Sequence, residues 1–80
     1  GLGKNNNQLW VCDATSGVRV FDAANPANPI EKQVIPSLQQ AYDVIVLADR
    51  TFISTNNNLY CCSINNNWQV SILSNLRIKP

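Results

Sequence analysis

The sequence predicts an all-β protein of about seven short antiparallel strands that form roughly two β-propeller blades. A strand–turn–strand pattern at residues 9–22 recurs at 51–63. A period of about 40 residues built from short strands is typical of propeller blades. Turn-forming residues separate the apolar runs along the whole chain, and no segment has the apolar spacing of a helix.

The two copies of the pattern are slightly out of step. The offset from Leu9 to Thr51 is one position longer than the offset from Val18 to Leu59, because the second copy has a shorter turn. This spacing predicts three parts of the chain. They are a Gly- and Asn-rich lead-in that frays at 1–7, a partial blade at 8–36 and a second, terminal blade at 37–80.

The partial blade begins with a strand at 9–12. Gly17 can supply the positive φ of a tight turn before the second strand at 18–22. The third strand, at 30–35, has mixed polarity, which is typical of an outer, solvated strand. These are three of the four strands of a blade, so the innermost strand is expected to come from outside this chain.

The second blade begins with the most apolar run, at 41–48, whose near-continuous apolarity predicts burial on both faces. Strands follow at 51–55, 59–64 and 68–73, and Ser74-Asn75 is expected to break or kink the last one. The Asn triplets between the strands are interpreted as turns, because Asn tolerates the left-handed conformation.

The composition excludes several classes of function. Charged residues make up 14% of the 80 residues, the net charge is +1, and the charges are scattered, which argues against nucleic-acid binding. No apolar run approaches the roughly 20 residues of a transmembrane segment. The chain has no histidine, so it contains neither a Ser-His-Asp triad nor a Cys-His pair, and no catalytic residue is predicted.

The three cysteines, Cys12, Cys61 and Cys62, are interpreted as small strand residues. Their spacing matches no zinc pattern, and neighbours in a strand point to opposite faces, so no metal or cofactor is predicted. A disulfide between Cys12 and one of the pair is left open.

The candidate ligand-binding residues are Asp13, Asp22, Asp43 and Arg19. The carboxylates lie near strand ends, where they suit acid–base chemistry or a cation, but capping of turns by backbone hydrogen bonds is the favoured interpretation. Arg19 and Arg50 suit salt bridges or surface recognition, but ordinary solvated positions are favoured for both. The aromatic residues are read either as a binding platform or, by preference, as core: Trp10, Phe21, Tyr60 and Trp68.

Three elements in order resemble the LVIVD-type repeat. They are Gly17-Val18-Arg19-Val20-Phe21-Asp22, then Asn25-Pro26-Ala27-Asn28-Pro29, then Ala41-Tyr42-Asp43-Val44. The match covers about residues 8–64. The second copy departs from the pattern, because Asn58 replaces the glycine and the Asn-Pro turn is missing. The resemblance implies the C-terminal blades of a bacterial or archaeal extracytoplasmic β-propeller, often surface-associated or lipid-anchored, with no agreed catalytic residues.

Three functions stay open at this point. The first is a non-catalytic binding or scaffold segment whose partners are other blades, copies of itself, or proteins or glycans. The second is the wall of a propeller hydrolase or lyase whose catalytic residues lie outside this chain. The third is assembly alone, in which the chain closes a ring of blades. An extracytoplasmic location rests on the resemblance only.

Overall fold

A computed structural model describes residues 1–13, 15–38 and 40–78. The strands are β1 (Leu2–Asn5), β2 (Gln8–Asp13), β3 (Gly17–Asp22), β4 (Ile30–Ile35), β5 (Asp43–Val46), β6 (Thr51–Ser54), β7 (Asn58–Ile64) and β8 (Val70–Arg77). A 3-10 turn at Pro36–Leu38 links β4 to the second half of the chain. The described residues contain no α-helix, and the predicted all-β class is confirmed.

The strands form two four-stranded sheets. The order is β1-β2-β3-β4 in the first sheet and β5-β6-β7-β8 in the second, and every neighbouring pair is antiparallel. Each sheet is therefore an up-and-down meander of consecutive strands.

The structure differs from the sequence prediction in the lead-in. Leu2–Asn5 forms β1 and pairs with β2 from Leu2↔Val11 to Asn5↔Gln8, so the first sheet has the strand that was expected to be missing. Glycine and asparagine disfavour strands, but packing overrides that preference here. A Cβ atom on Gly3 would lie 2.9 Å from Val46 Cγ2 and 3.0 Å from the Val44 carbonyl oxygen, so glycine permits β1 to approach β5 closely.

Burial of the run at 41–48 on both faces was also predicted, and it is wrong. Only residues 43–46 are strand, and they bury a single face. Val44 is buried and Val46 half-buried, whereas Ile45 is 60% exposed between them.

The predicted break or kink at Ser74-Asn75 is not a break, and the irregularity of this strand is a bulge one residue earlier. β8 runs through both residues, and Leu73 is the extra residue between the pairs Cys61↔Ser74 and Cys62↔Ile72. The first sheet has the same feature, because Lys32 is extra between the pairs Val20↔Gln33 and Phe21↔Glu31. The offset from Lys32 to Leu73 equals the offset from Val18 to Leu59. The two sheets are thus copies of one unit down to the position of the bulge.

The two sheets pack through opposite faces of this shared unit. In the first sheet Val18 and Val20 are buried in the core that the two sheets share, but their equivalents in the second copy, Leu59 and Cys61, lie on the face turned away from it. The buried residues of the second sheet instead correspond to outward residues of the first: Ile53 to Val11, Cys62 to Phe21 and Val44 to Leu2. The sheets therefore stack head to tail, each in the same orientation, and are not related by a two-fold axis.

The core lies between the stacked sheets. Its fully or nearly fully buried members are Trp10, Val18, Val20, Leu38, Ala41, Val44, Ile53 and Cys62. Leu38 comes from the 3-10 turn and packs against the β3 side of this core.

Truncating one buried and one exposed isoleucine on neighbouring strands tests which face of the second sheet is inside. Ile53→Ala should cost about 2–5 kcal/mol of unfolding free energy, because Ile53 is 0% exposed. Ile45→Ala, on the opposite face, should cost less than about 0.5 kcal/mol in dilute protein. Urea unfolding measures both, and equal losses would contradict the head-to-tail packing.

Candidate functional site

A small pocket lies between two turns at one end of the stacked sheets. Its lining residues are Asn6, Asn7, Gln8, Asn65, Asn66 and Trp68. The first three come from the β1–β2 turn and the start of β2, and the other three from the β7–β8 turn. We call it the amide pocket, since five of its six side chains are carboxamides.

Asn65 shapes the β7–β8 side of the pocket. Its side-chain oxygen accepts hydrogen bonds from the backbone N–H groups of Asn67 (2.8 Å) and Gln69 (3.0 Å), and its amide nitrogen donates to the Gln69 side-chain oxygen at 2.9 Å. Trp68 follows with φ of 62°, which is rare for a bulky residue and strained. The Gln33 side-chain amide donates to the Trp68 carbonyl oxygen at 3.2 Å and ties the turn to the first sheet.

The β1–β2 side repeats the same conformational feature. Asn6 has φ of 52°, and the Asn7 carbonyl oxygen accepts a bond from the Ala23 N–H at 2.7 Å. The Gln8 side-chain oxygen accepts from the Trp10 indole N–H at 3.2 Å, which leaves its NH₂ group to donate elsewhere. The side chains of Asn6, Asn7 and Asn66 make no hydrogen bond to the described residues, so their amides face the pocket and solvent unpaired.

Sequence reasoning treated the Asn triplets only as turn chemistry and missed this pocket. The signal was their position in an up-and-down chain. The first and seventh connections of such a chain lie at the same end, so the triplets at 5–7 and 65–67 meet, whereas the triplet at 56–58 lies at the other end.

Two of the predicted binding residues come together on the outward face of the first sheet. Arg19 Nε lies 3.3 Å from Asp13 Oδ2, and Arg19 Nη1 lies 2.6 Å from Glu31 Oε1. Each side chain is a third or more exposed, so the cluster is a solvated ion-pair network. These bonds raise the pKa of Arg19, with Glu31 the larger contributor.

The other two candidates stand apart from this cluster. Asp22 accepts a hydrogen bond from the backbone N–H of Ala24 at 3.0 Å and so shapes the loop after β3. Asp43 is exposed at the start of β5, opposite Ser54. Asp22 lies at the end of the sheets that carries the amide pocket, and Asp13 and Asp43 at the opposite end.

The aromatic side chains do not form one platform. Trp10 is a core residue, and Tyr60 and Trp68 are partly buried against the core. Phe21 is half-buried on the outward face of the first sheet. Arg50 is exposed and donates to the Asp49 carbonyl oxygen at 2.7 Å.

All three cysteines are free thiols, so the open disulfide pairing does not occur. Cys61 pairs with Phe52 on the outward face and Cys62 with Thr51 on the buried face, so the prediction that the neighbours point to opposite faces is confirmed. Burial, followed by the neighbouring Cys61, raises the pKa of the Cys62 thiol to about 11. Burial is also the main cause that raises the pKa of Cys12.

Among residues 1–13, 15–38 and 40–78 no group of three or more cysteine and acidic side chains is placed to hold a metal ion. The same ranges include no helix long and apolar enough to cross a membrane. Comparison of the chain with protein-family models, with curated proteins and with solved structures finds no match.

Replacing Arg19 should change the titration of Asp13. Partial desolvation raises the pKa of Asp13, but hydrogen bonds from Arg19, Thr15 and Ser16 and the Arg19 charge outweigh it, and the net pKa lies below the usual range. A lowered pKa stabilises the fold above the unfolded-state pKa, and this contribution is lost as the pH falls through the folded-state pKa. In Arg19→Gln the Asp13 pKa should rise in an NMR titration, and Arg50→Gln should leave it in place.

Thiol labelling should separate the adjacent cysteines. Only the thiolate reacts with iodoacetamide, so the raised pKa and complete burial of Cys62 should protect it in the folded protein. Tandem mass spectrometry should find native labelling at Cys61 first and at Cys62 only in urea. The Cys61→Ser variant should lose the fast phase, and rapid native labelling of Cys62 would contradict the assigned faces.

Proposed function

We propose that this chain is a non-catalytic binding and scaffold module built from two β-propeller blades, and that it joins further repeats of its own kind. The single observation that supports this function is the head-to-tail stacking of the two equivalent sheets. When two units join through unlike faces, one face of each kind stays free on the joined pair. Further units can therefore be added at both ends. Rings of blades close in this way when the rotation between units permits.

The apolar parts of the two free faces have the character that such a contact needs. The first outer face carries Leu2, Leu9, Val11 and Phe21 beside the solvated ion pairs of Arg19, and the second outer face carries Ile45, Phe52, Leu59 and Cys61. Each of these residues is equivalent to a residue that already lies in the contact between the sheets. The most exposed apolar side chains are Leu2, at 68%, on the first outer face, and Leu76 and Ile45, at 61% and 60%, on the second.

The partner that fits these faces is another four-stranded repeat, and a second copy of this chain supplies one. The first outer face of one copy would receive the second outer face of the next, as the sheets do within the chain. The extracytoplasmic location and membership of the LVIVD repeats are proposed with it, and both are supported by the motif at 17–44.

Complementation of two variants tests the head-to-tail contact. Val11→Lys should disable the first outer face and Ile45→Lys the second, while each variant keeps the other face intact. Light scattering across a wide concentration range should show wild-type masses rising above the 8.9 kDa of one chain. Each variant alone should stay monomeric, and their mixture should form a heterodimer. Circular dichroism checks that both variants fold.

Ile30→Lys is the matched control, because Ile30 is 52% exposed on β4 but lies on neither outer face. It should associate like the wild-type protein. A wild-type chain that stays monomeric at every concentration, or a mixture of variants that does not pair, would overturn the proposal.

A further inference from the structure

We propose that the amide pocket binds a neutral sugar ring, such as a terminal hexopyranose of a glycan. This deepens the binding role proposed above by naming its ligand and its site. The site itself depends only on the contact between the two sheets within one chain.

The chemistry of the lining indicates an uncharged, hydroxyl-rich ligand. A carboxamide both donates and accepts hydrogen bonds, as a sugar hydroxyl does, and the three amides of Asn6, Asn7 and Asn66 are unpaired among the described residues. No charged side chain lines the pocket, so its described lining offers no opposite charge to a phosphate or a carboxylate. The Trp68 ring provides the apolar surface on which the C–H face of a pyranose packs.

The size of the pocket limits the ligand to one ring. Its volume is about 190 Å³, below the roughly 300–1,000 Å³ of sites that enclose drug-sized molecules. The pocket is open to solvent, so the rest of a glycan chain can leave it without obstruction.

The conformation of the pocket is fixed before any ligand arrives. Three described residues other than glycine have positive φ, and two of them, Asn6 and Trp68, lie in its wall. The Gln33 side chain donates a hydrogen bond to the Trp68 carbonyl oxygen, and Asn65 accepts hydrogen bonds from the backbone N–H groups of Asn67 and Trp68. The turn is therefore held by the scaffold, and little ordering is needed on binding.

Titration with methyl hexopyranosides of glucose, galactose, mannose and N-acetylglucosamine tests the proposal on the intact chain. NMR spectra of ¹⁵N-labelled protein should show shifts confined to the side-chain amides of the pocket and the Trp68 indole. A ligand with about 12 non-hydrogen atoms in an open site should have a dissociation constant on the order of 1–10 mM for the preferred sugar. Glycerol should cause no saturable shift.

Asn66→Ala should weaken binding about tenfold without unfolding the protein, because Asn66 is exposed and its side chain has no partner among the described residues. Asn57→Ala is its matched control, since Asn57 is an exposed turn asparagine at the other end of the sheets, and it should bind like the wild-type protein. Trp68→Ala should abolish binding. Because Trp68 also contacts the core, circular dichroism checks whether the Trp68→Ala variant folds. If that variant unfolds, the comparison of Asn66→Ala with Asn57→Ala decides the test.

The absence of saturable shifts with every sugar, or equal weakening by Asn66→Ala and Asn57→Ala, would overturn this inference. Ile45→Lys separates it from the assembly proposal, because that variant should lose association and keep full sugar binding. Sugar binding that fails while the two face variants still complement each other would refute the site alone.

Discussion

The close contact between β1 and β5 is the constraint on which the rest of the structure depends. It sets the two sheets side by side at their first strands, and it exists because Gly3 has no side chain to hold Val44 and Val46 away. With this contact in place Trp10 is enclosed between the sheets at 0% exposure. The same contact brings the β1–β2 turn near the β7–β8 turn. The core and the amide pocket thus have a common origin in one small residue.

This constraint explains what could be predicted from the sequence and what could not. The repeat could be predicted from the sequence because the spacing of strands and turns is a local property of the chain. The offset between its two copies agrees with the observed pairing registers. β1 could not be predicted, because the residues of Leu2–Asn5 have a weak preference for strands. Pairing with β2 and the contact with β5 hold this segment in place. Burial of the run at 41–48 failed for a related reason. An apolar run does not say whether a second layer covers its other face, and Ile45 is left uncovered here.

The candidate sites differ in the same way. Some depend on residues that are close in sequence and could be predicted, and others depend on distant strands and could not. The turn role of Asp22 follows from its neighbours in sequence and was predicted. The ion pair between Arg19 and Asp13 depends on the β2–β3 register, which the hairpin almost fixes, whereas the Glu31 partner requires the bulge at Lys32. The pocket requires the first and the last hairpin turns of the chain to meet, and only a topology places them together. Whether these two turns lie at the same end depends on the number of strands, and β1 was not predicted from the sequence.

Divergence between the repeats, and not the repeat itself, creates the pocket. The turn equivalent to Asn6-Asn7 in the second sheet is Ala48-Asp49, and the loop equivalent to Asn65–Trp68 in the first sheet is Ala24–Ala27. If a second copy stacks onto the first, the junction between the copies brings together the Ala48 turn and the Ala24 loop. That junction has neither the row of amides nor the indole, and it carries the charge of Asp49. Stacking would therefore repeat the scaffold at every sheet, but it would present the amide pocket once per chain, at every second junction. If the pocket binds a sugar as proposed, a glycan with two terminal sugars would meet sites separated by two sheets, and the binding of such a ligand would depend on assembly whereas the binding of a single sugar would not.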